Sequence, residues 1–127
     1  MHNKQLPHPL APPNLAKLPS GVLLLVTEPH LIPVAGGLLG TRYVLAAQVS
    51  FDDGASWVGY QELQYTGSDA TQSYASLFVD GGAVHISHYR IDCTGAHTGD
   101  RCIGGWRFAQ YVKLQVDFFL PGSDRVN

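Results

Sequence analysis

The residues with the most chemistry in them lie between Cys93 and Cys102, the two cysteines of the chain. The interval from Thr94 to Arg101 carries His97 and two glycines, Gly95 and Gly99. In a reducing compartment both sulfurs stay thiols, whereas in an oxidising one they can close a disulfide across the mouth of a hairpin. The third chemistry is zinc, held by Cys93, His97 and Cys102 with His85 or His88 as fourth ligand. Tetrahedral sites usually announce themselves by paired C-x2-C ligands, which C-x3-H-x4-C lacks. We therefore expect no metal and leave thiols and disulfide both open.

Acid–base chemistry fares no better. His85 and His88 are three apart on an expected strand, so they face opposite sides and cannot act together on one surface. One should be buried and hydrogen-bonded, the other exposed. Glu28 and Glu62 are the only glutamates, and most aspartates fall in turns. A nucleophile elbow, a P-loop, an H-E-x-x-H helix and an EF-hand loop are all absent. The expectation is a protein that is not an enzyme and has no cofactor. Aromatic residues remain: Trp57, Tyr60, Tyr65, Tyr74, Tyr89 and Tyr111. Tyr60 and Tyr111 share strand faces with polar neighbours. With Trp57 they are the candidate ligand contacts, by stacking on a sugar.

The chain that must position these groups has 127 residues, enough for one core. Charged residues make up 14 %, well below the usual quarter or so. Such a surface suits coverage by protein better than exposure to solvent. Net charge is −2 with no Lys/Arg cluster, which argues against nucleic acid. The longest apolar run, Gly21 to Val26, is too short to span a bilayer, so no membrane partner is expected. The first residues lack an apolar h-region, so we expect synthesis in the cytoplasm.

Residues 1–20 read as an extended arm. Pro7, Pro9, Pro12, Pro13 and Pro19 forbid a helix and favour polyproline-like chain. Leu6, Leu10, Leu15 and Leu18 punctuate it as docking points for a partner. Residues 21–127 read as one domain. Strands are expected at Gly21 to Thr27, Tyr43 to Val49, Val58 to Tyr65, Tyr74 to Asp80, Ala83 to Asp92 and Trp106 to Leu120, with loop from Glu28 to Gly40. Period-two alternation is clear in several of them. The last would reach ~45 Å if straight, so a bend is expected. The architecture that fits best is an antiparallel β-sandwich, with a small closed β-barrel second.

Between two of these strands lies Ser50-Phe51-Asp52-Asp53-Gly54-Ala55-Ser56-Trp57. A type I turn on the two aspartates, followed by a left-handed glycine, accounts for its composition. The indole of Trp57 should fold back over it. The pattern S-x-D-x-G-x-S/T-W resembles the Asp-box, a hairpin motif of sialidase-type β-propellers, at Ser50, Asp52, Gly54, Ser56 and Trp57. The resemblance covers eight residues and implies a hairpin remote from any catalytic centre.

The Pro-rich arm, low charge, all-β build and missing catalytic motifs also resemble, loosely and by architecture, the small β-sandwich proteins of tailed-phage virions. That likeness implies a capsid decoration or tail, collar or baseplate component. It would bind copies of itself and neighbouring virion proteins through its arm and sheet edges. The alternative expectation is a carbohydrate-binding module that attaches a particle to a host glycan.

Overall fold

A computed structural model describes residues 13–29, 31–40, 44–65, 70–93, 97–98, 101–102 and 105–121. It gives backbone alone at 31–34, 38–40, 70–74, 93, 97–98, 101–102 and 105–108. The fold is an all-β sandwich of two antiparallel sheets, and no barrel closes. The larger sheet has the order β1-β2-β5-β6, from β1 (Asn14–Lys17), β2 (Leu23–Thr27), β5 (Val44–Ser50) and β6 (Val58–Tyr65). The smaller has the order β11-β8-β7, from β7 (Ala70–Asp80), β8 (Ala83–Cys93) and β11 (Gly105–Gln115). Two short hairpins stand apart: β3 (Leu31–Val34) with β4 (Gly37–Gly40), and β9 (His97–Thr98) with β10 (Arg101–Cys102).

The core lies between the sheets. Leu24 and Val26 of β2 and Leu45, Ala47 and Val49 of β5 meet Val84 and Ile86 of β8. Each fully buried leucine, valine or isoleucine of this set contributes roughly 1.5–3 kcal/mol through removal of its surface from water. On β5 the alternation expected from sequence is overridden. Val44 and Ala46 on its other face are buried as well, as a small second cluster. Phe51, which shares the parity of Leu45, Ala47 and Val49, lies past the end of the strand and is exposed.

The arm expected over residues 1–20 is partly sandwich. Asn14 to Lys17 pair with Val26 to Leu23, making β1 an edge strand of the larger sheet. Pro19, which cannot donate to a ladder, sits in the connecting turn, where the Leu18 N–H donates to Val22 O at 2.8 Å. Leu18 is 2 % exposed and belongs to this chain's own core, so it is not available to a partner. Leu15 alternates with it and is 60 % exposed. Leu6 and Leu10 lie outside the described residues.

Two further expectations change. The loop expected from Glu28 to Gly40 contains the β3–β4 hairpin, with Pro33 opposite Leu38. Proline is tolerated there because a two-stranded hairpin consists of edges. The long last strand stops at Gln115, and Val116–Phe119 coil into one 3-10 turn. The turn is tied down by Val116 N–H donating to Gly82 O at 2.8 Å. It breaks the two-residue period and drives Phe119, not its neighbour Phe118, fully into the core.

Candidate functional site

Three places concentrate polar or aromatic chemistry among the described residues. The first is the turn after β5. Asp53 and Gly54 both have positive φ, 56° and 90°, and Ala55 N–H donates to Asp52 O at 3.2 Å. Two left-handed central residues are the signature of a type I′ turn, the one whose twist matches a hairpin, and Asp-Gly is its favoured dipeptide. The type I turn expected from sequence is thus corrected by one residue, because Asp tolerates the left-handed region.

Side chains lock this turn. The Asp52 carboxylate accepts from Ser56 N–H at 2.8 Å, Ser56 Oγ at 2.5 Å and Ser50 Oγ at 2.8 Å. Ser50 Oγ in turn accepts from Gly54 N–H at 2.8 Å. The hydrogen bonds from Ser56 and Ser50 hold the Asp52 carboxyl down at about 2. Trp57 is half-buried, and a Cβ on Gly54 would lie 3.8 Å from its ring. The indole therefore covers the turn. This arrangement is rigid and solvent-exposed at its carboxylate, and nothing in it converges on a substrate.

The second place is the outer face of the smaller sheet. Phe78 of β7, His85 of β8 and Tyr111 of β11 form a strip across its strands. Phe78 is paired in register with His85, and Lys113, the next outward residue after Tyr111, is paired with His85 from the other side. The Phe78 and His85 rings are 5.7 Å apart, and His85 and Tyr111 stack at 5.9 Å with 21° between planes. His85 Nδ1 and Tyr111 Oη share a hydrogen bond of 2.5 Å. Phe78 is 64 % and Tyr111 63 % exposed. Flat, rigid aromatic surface left in water is costly unless something covers it.

The third place is a cavity of about 290 Å³ between the sheets, where β6 and β11 form their edges. Leu45, Leu63, Val112, Leu114 and Phe118 give it apolar walls, Glu62, Gln64, His88 and Gln110 its polar groups, and Tyr111 of the strip also borders it. His88 is 6 % exposed. Its Nε2 lies 2.8 Å from Gln64 Oε1 and 3.0 Å from Gln110 Oε1. Two carboxamide oxygens on one ring nitrogen require that nitrogen to carry the proton. Nδ1 is then an acceptor, buried without a hydrogen-bond partner. Burial, with Arg90 nearby, pushes the imidazole below its ordinary value, against the contrary pull of Gln110.

Gln64 reaches His88 because β6 carries an irregularity. In the ladder with β5, Ala46 faces Glu62 but Leu45 faces Gln64, leaving Leu63 as an extra residue. This bulge turns two successive side chains, Leu63 and Gln64, toward the interior.

Of the residues singled out from sequence, the opposite facing of His85 and His88 is what the structure shows. Tyr60 and Tyr111 are both exposed but stand on different sheets, and Trp57 sits on the turn. Tyr60 Oη lies 3.5 Å from Glu62, and partial burial together with that carboxylate raises its phenol. Glu62 lines the cavity and is exposed, while Glu28 is buried at the end of β2. The side chains of Cys93, His97 and Cys102 are not among those described, although Cys102 pairs with His97 through the backbone. Sequence reading missed Phe78, Gln64 and Gln110. Phe78 alone had a usable signal, since it alternates with Asp80 on the outward parity of its strand. No family model, no curated protein and no solved structure matches this chain.

Proposed function

We propose that this is a non-enzymatic assembly protein, a structural component of a virion-like particle that binds further copies of itself and neighbouring particle proteins. One observation carries the reading: large apolar side chains lie in the open on the outer face of the smaller sheet, at Phe78 and Tyr111, in a chain with only 14 % charged residues. Isolated soluble domains rarely leave such a strip uncovered. Edge strand β1, with Leu15 outward, supports it by offering backbone groups to a neighbouring strand. Leu6 and Leu10, upstream of β1, complete the proposed arm. The turn with the Asp-box-like pattern serves the fold and stays out of the interface.

The test is oligomeric state by light scattering. Removing residues 1–12 leaves β1 and Leu18 in place, so the sandwich should fold while assembly is lost. Phe78→Ser should weaken assembly in the same way. A wild-type chain that is monomeric at every concentration, with both variants unchanged from it, refutes the reading.

The second reading, a carbohydrate-binding module, is favoured by the same strip. Near-parallel His85 and Tyr111 rings extended by Phe78 form a platform for the C–H faces of a glycan. A glycan array separates the two, because silence across it leaves assembly standing and removes the lectin.

A further inference from the structure

The outer face of the smaller sheet carries opposite charges at its two edges. Asp80 stands on β7 at one edge and Lys113 on β11 at the other, both exposed. Neither has an ion-pair partner among the described residues. The aromatic strip lies between them. Strand register sets its outward side chains in rows: Phe78, His85 and Lys113 share one, and Ser76, Ser87 and Tyr111 share the next. Asp80 is the next outward residue after Phe78 on β7. The rows are lopsided in opposite ways. A ring on β7 answers a cation on β11 in the first, and a small serine on β7 answers a large tyrosine on β11 in the second.

A second copy of the chain complements this pattern. Two identical sheets stacked face to face with aligned strands are related by a twofold axis that runs either across the strands or along them. An axis across them at the His85 row sets Lys113 against Lys113, which like charges oppose. An axis along β8 keeps every row at its own level and lays β7 of each copy over β11 of the other. Phe78 then meets the second copy's Lys113, a ring face beneath an ammonium group. Ser76 meets the second copy's Tyr111, small beneath large. The lysine stem passes over the Phe78 ring and carries its charge to Asp80, and symmetry makes this ion pair twice. Three strands of 11 residues, about 4.8 Å apart, give a footprint of about 500 Å² per copy. The total of about 1,000 Å² is the lower limit for a specific contact, so the pairing is reversible. A neutral glycan on the strip would use neither charge.

We propose that the chain pairs with a second copy of itself through this face, about a twofold axis along β8, with Asp80 of each copy joined to Lys113 of the other. The inference rests on the assembly reading and names the partner and orientation that the strip selects.

The experiment is charge exchange in the full chain, read by sedimentation velocity over a concentration series. Asp80→Lys alone sets lysine against lysine in both pairs, and Lys113→Asp alone sets aspartate against aspartate. Each should weaken self-association by about tenfold. Mixed in equal amounts, the two variants restore both pairs between unlike copies, so association should return to within about threefold of wild type. The double variant Asp80→Lys/Lys113→Asp should recover in the same way without mixing. Both positions are exposed, and recovery on mixing shows that each variant is folded. If the wild-type chain associates but the single variants match it, or if neither mixing nor the double variant restores what they lose, this pairing is overturned while the assembly reading stands. A wild-type chain that is monomeric at every concentration removes both.

Discussion

In the turn from Ser50 to Ser56, the Asp52 carboxylate and the Ser50 and Ser56 hydroxyls find partners within four residues of themselves. His88 instead reaches across 22 and 24 residues to Gln110 and Gln64, and is still left with one nitrogen unpaired. The turn is a local solution, closed by side chains and backbone no more than four residues apart. The cavity is a tertiary product, held by hydrogen bonds between distant strands, with the His88 Nδ1 alone shown without a partner among the described groups that line it. A fold spends its short-range hydrogen bonds on making corners. Where distant polar groups converge, one atom can be left over, as the His88 Nδ1 is here.

The sharpest way to break this contrast is His88→Ala. It removes a buried ring and strands two carboxamides, so it should destabilise by about 2–4 kcal/mol in chemical denaturation. His88→Leu keeps the bulk and removes the unpaired nitrogen, and should cost clearly less. Equal losses would mean that the His88 polar network contributes more than its unpaired atom costs. Next comes Ser50→Ala at the turn. Ser50 is buried and bonded on both sides, so a loss of about 1–3 kcal/mol is expected. A loss near zero would show that the type I′ backbone holds without its side chains. Gly54→Ala, at φ 90°, should cost roughly 1 kcal/mol from left-handed strain alone.

Acid titration separates the two regions by pH. His88 is held below its ordinary 6.5, so the unfolded chain takes its proton first. Stability from keeping it neutral is complete above about 6.5 and is lost as pH falls below that. Asp52 works in the acid range: its contribution is complete above 3.8 and is lost as pH falls toward 2. A stability–pH curve should therefore show two steps. His88→Leu removes the upper and Asp52→Asn the lower, and a single step surviving both substitutions would refute the assignment. The smallest effect is at Phe78→Ser, which should change stability by no more than about 0.5 kcal/mol while it alters self-association.

The same contrast explains what could be read in the residues. Ser50 to Trp57 was legible because composition and spacing there determine geometry directly, apart from the one-residue shift at Asp53. The two-layer all-β build was legible from alternation in β6, β8 and β11. β1 was hidden because prolines on either side of Asn14 to Lys17 outweigh a four-residue strand. β3 was hidden by Pro33. The end of β11 was missed because alternation continues in the letters through Phe118 while the backbone coils at Val116. The cavity had no local signal, since Gln64 reads as an outward residue until the irregularity in β6 is known.

That irregularity has an evolutionary corollary. Leu63 is surplus in the ladder: the rungs before and after it, Ala46 with Glu62 and Leu45 with Gln64, are already consecutive on the partner strand. Excising Leu63 would therefore leave Gln64 and Tyr65 on the sides they now occupy, whereas losing one residue from the middle of β5 or β8 would exchange interior for solvent along the remainder of the strand. Here the molecule can change length one codon at a time, widening or narrowing its internal hollow while the frame around it is inherited intact.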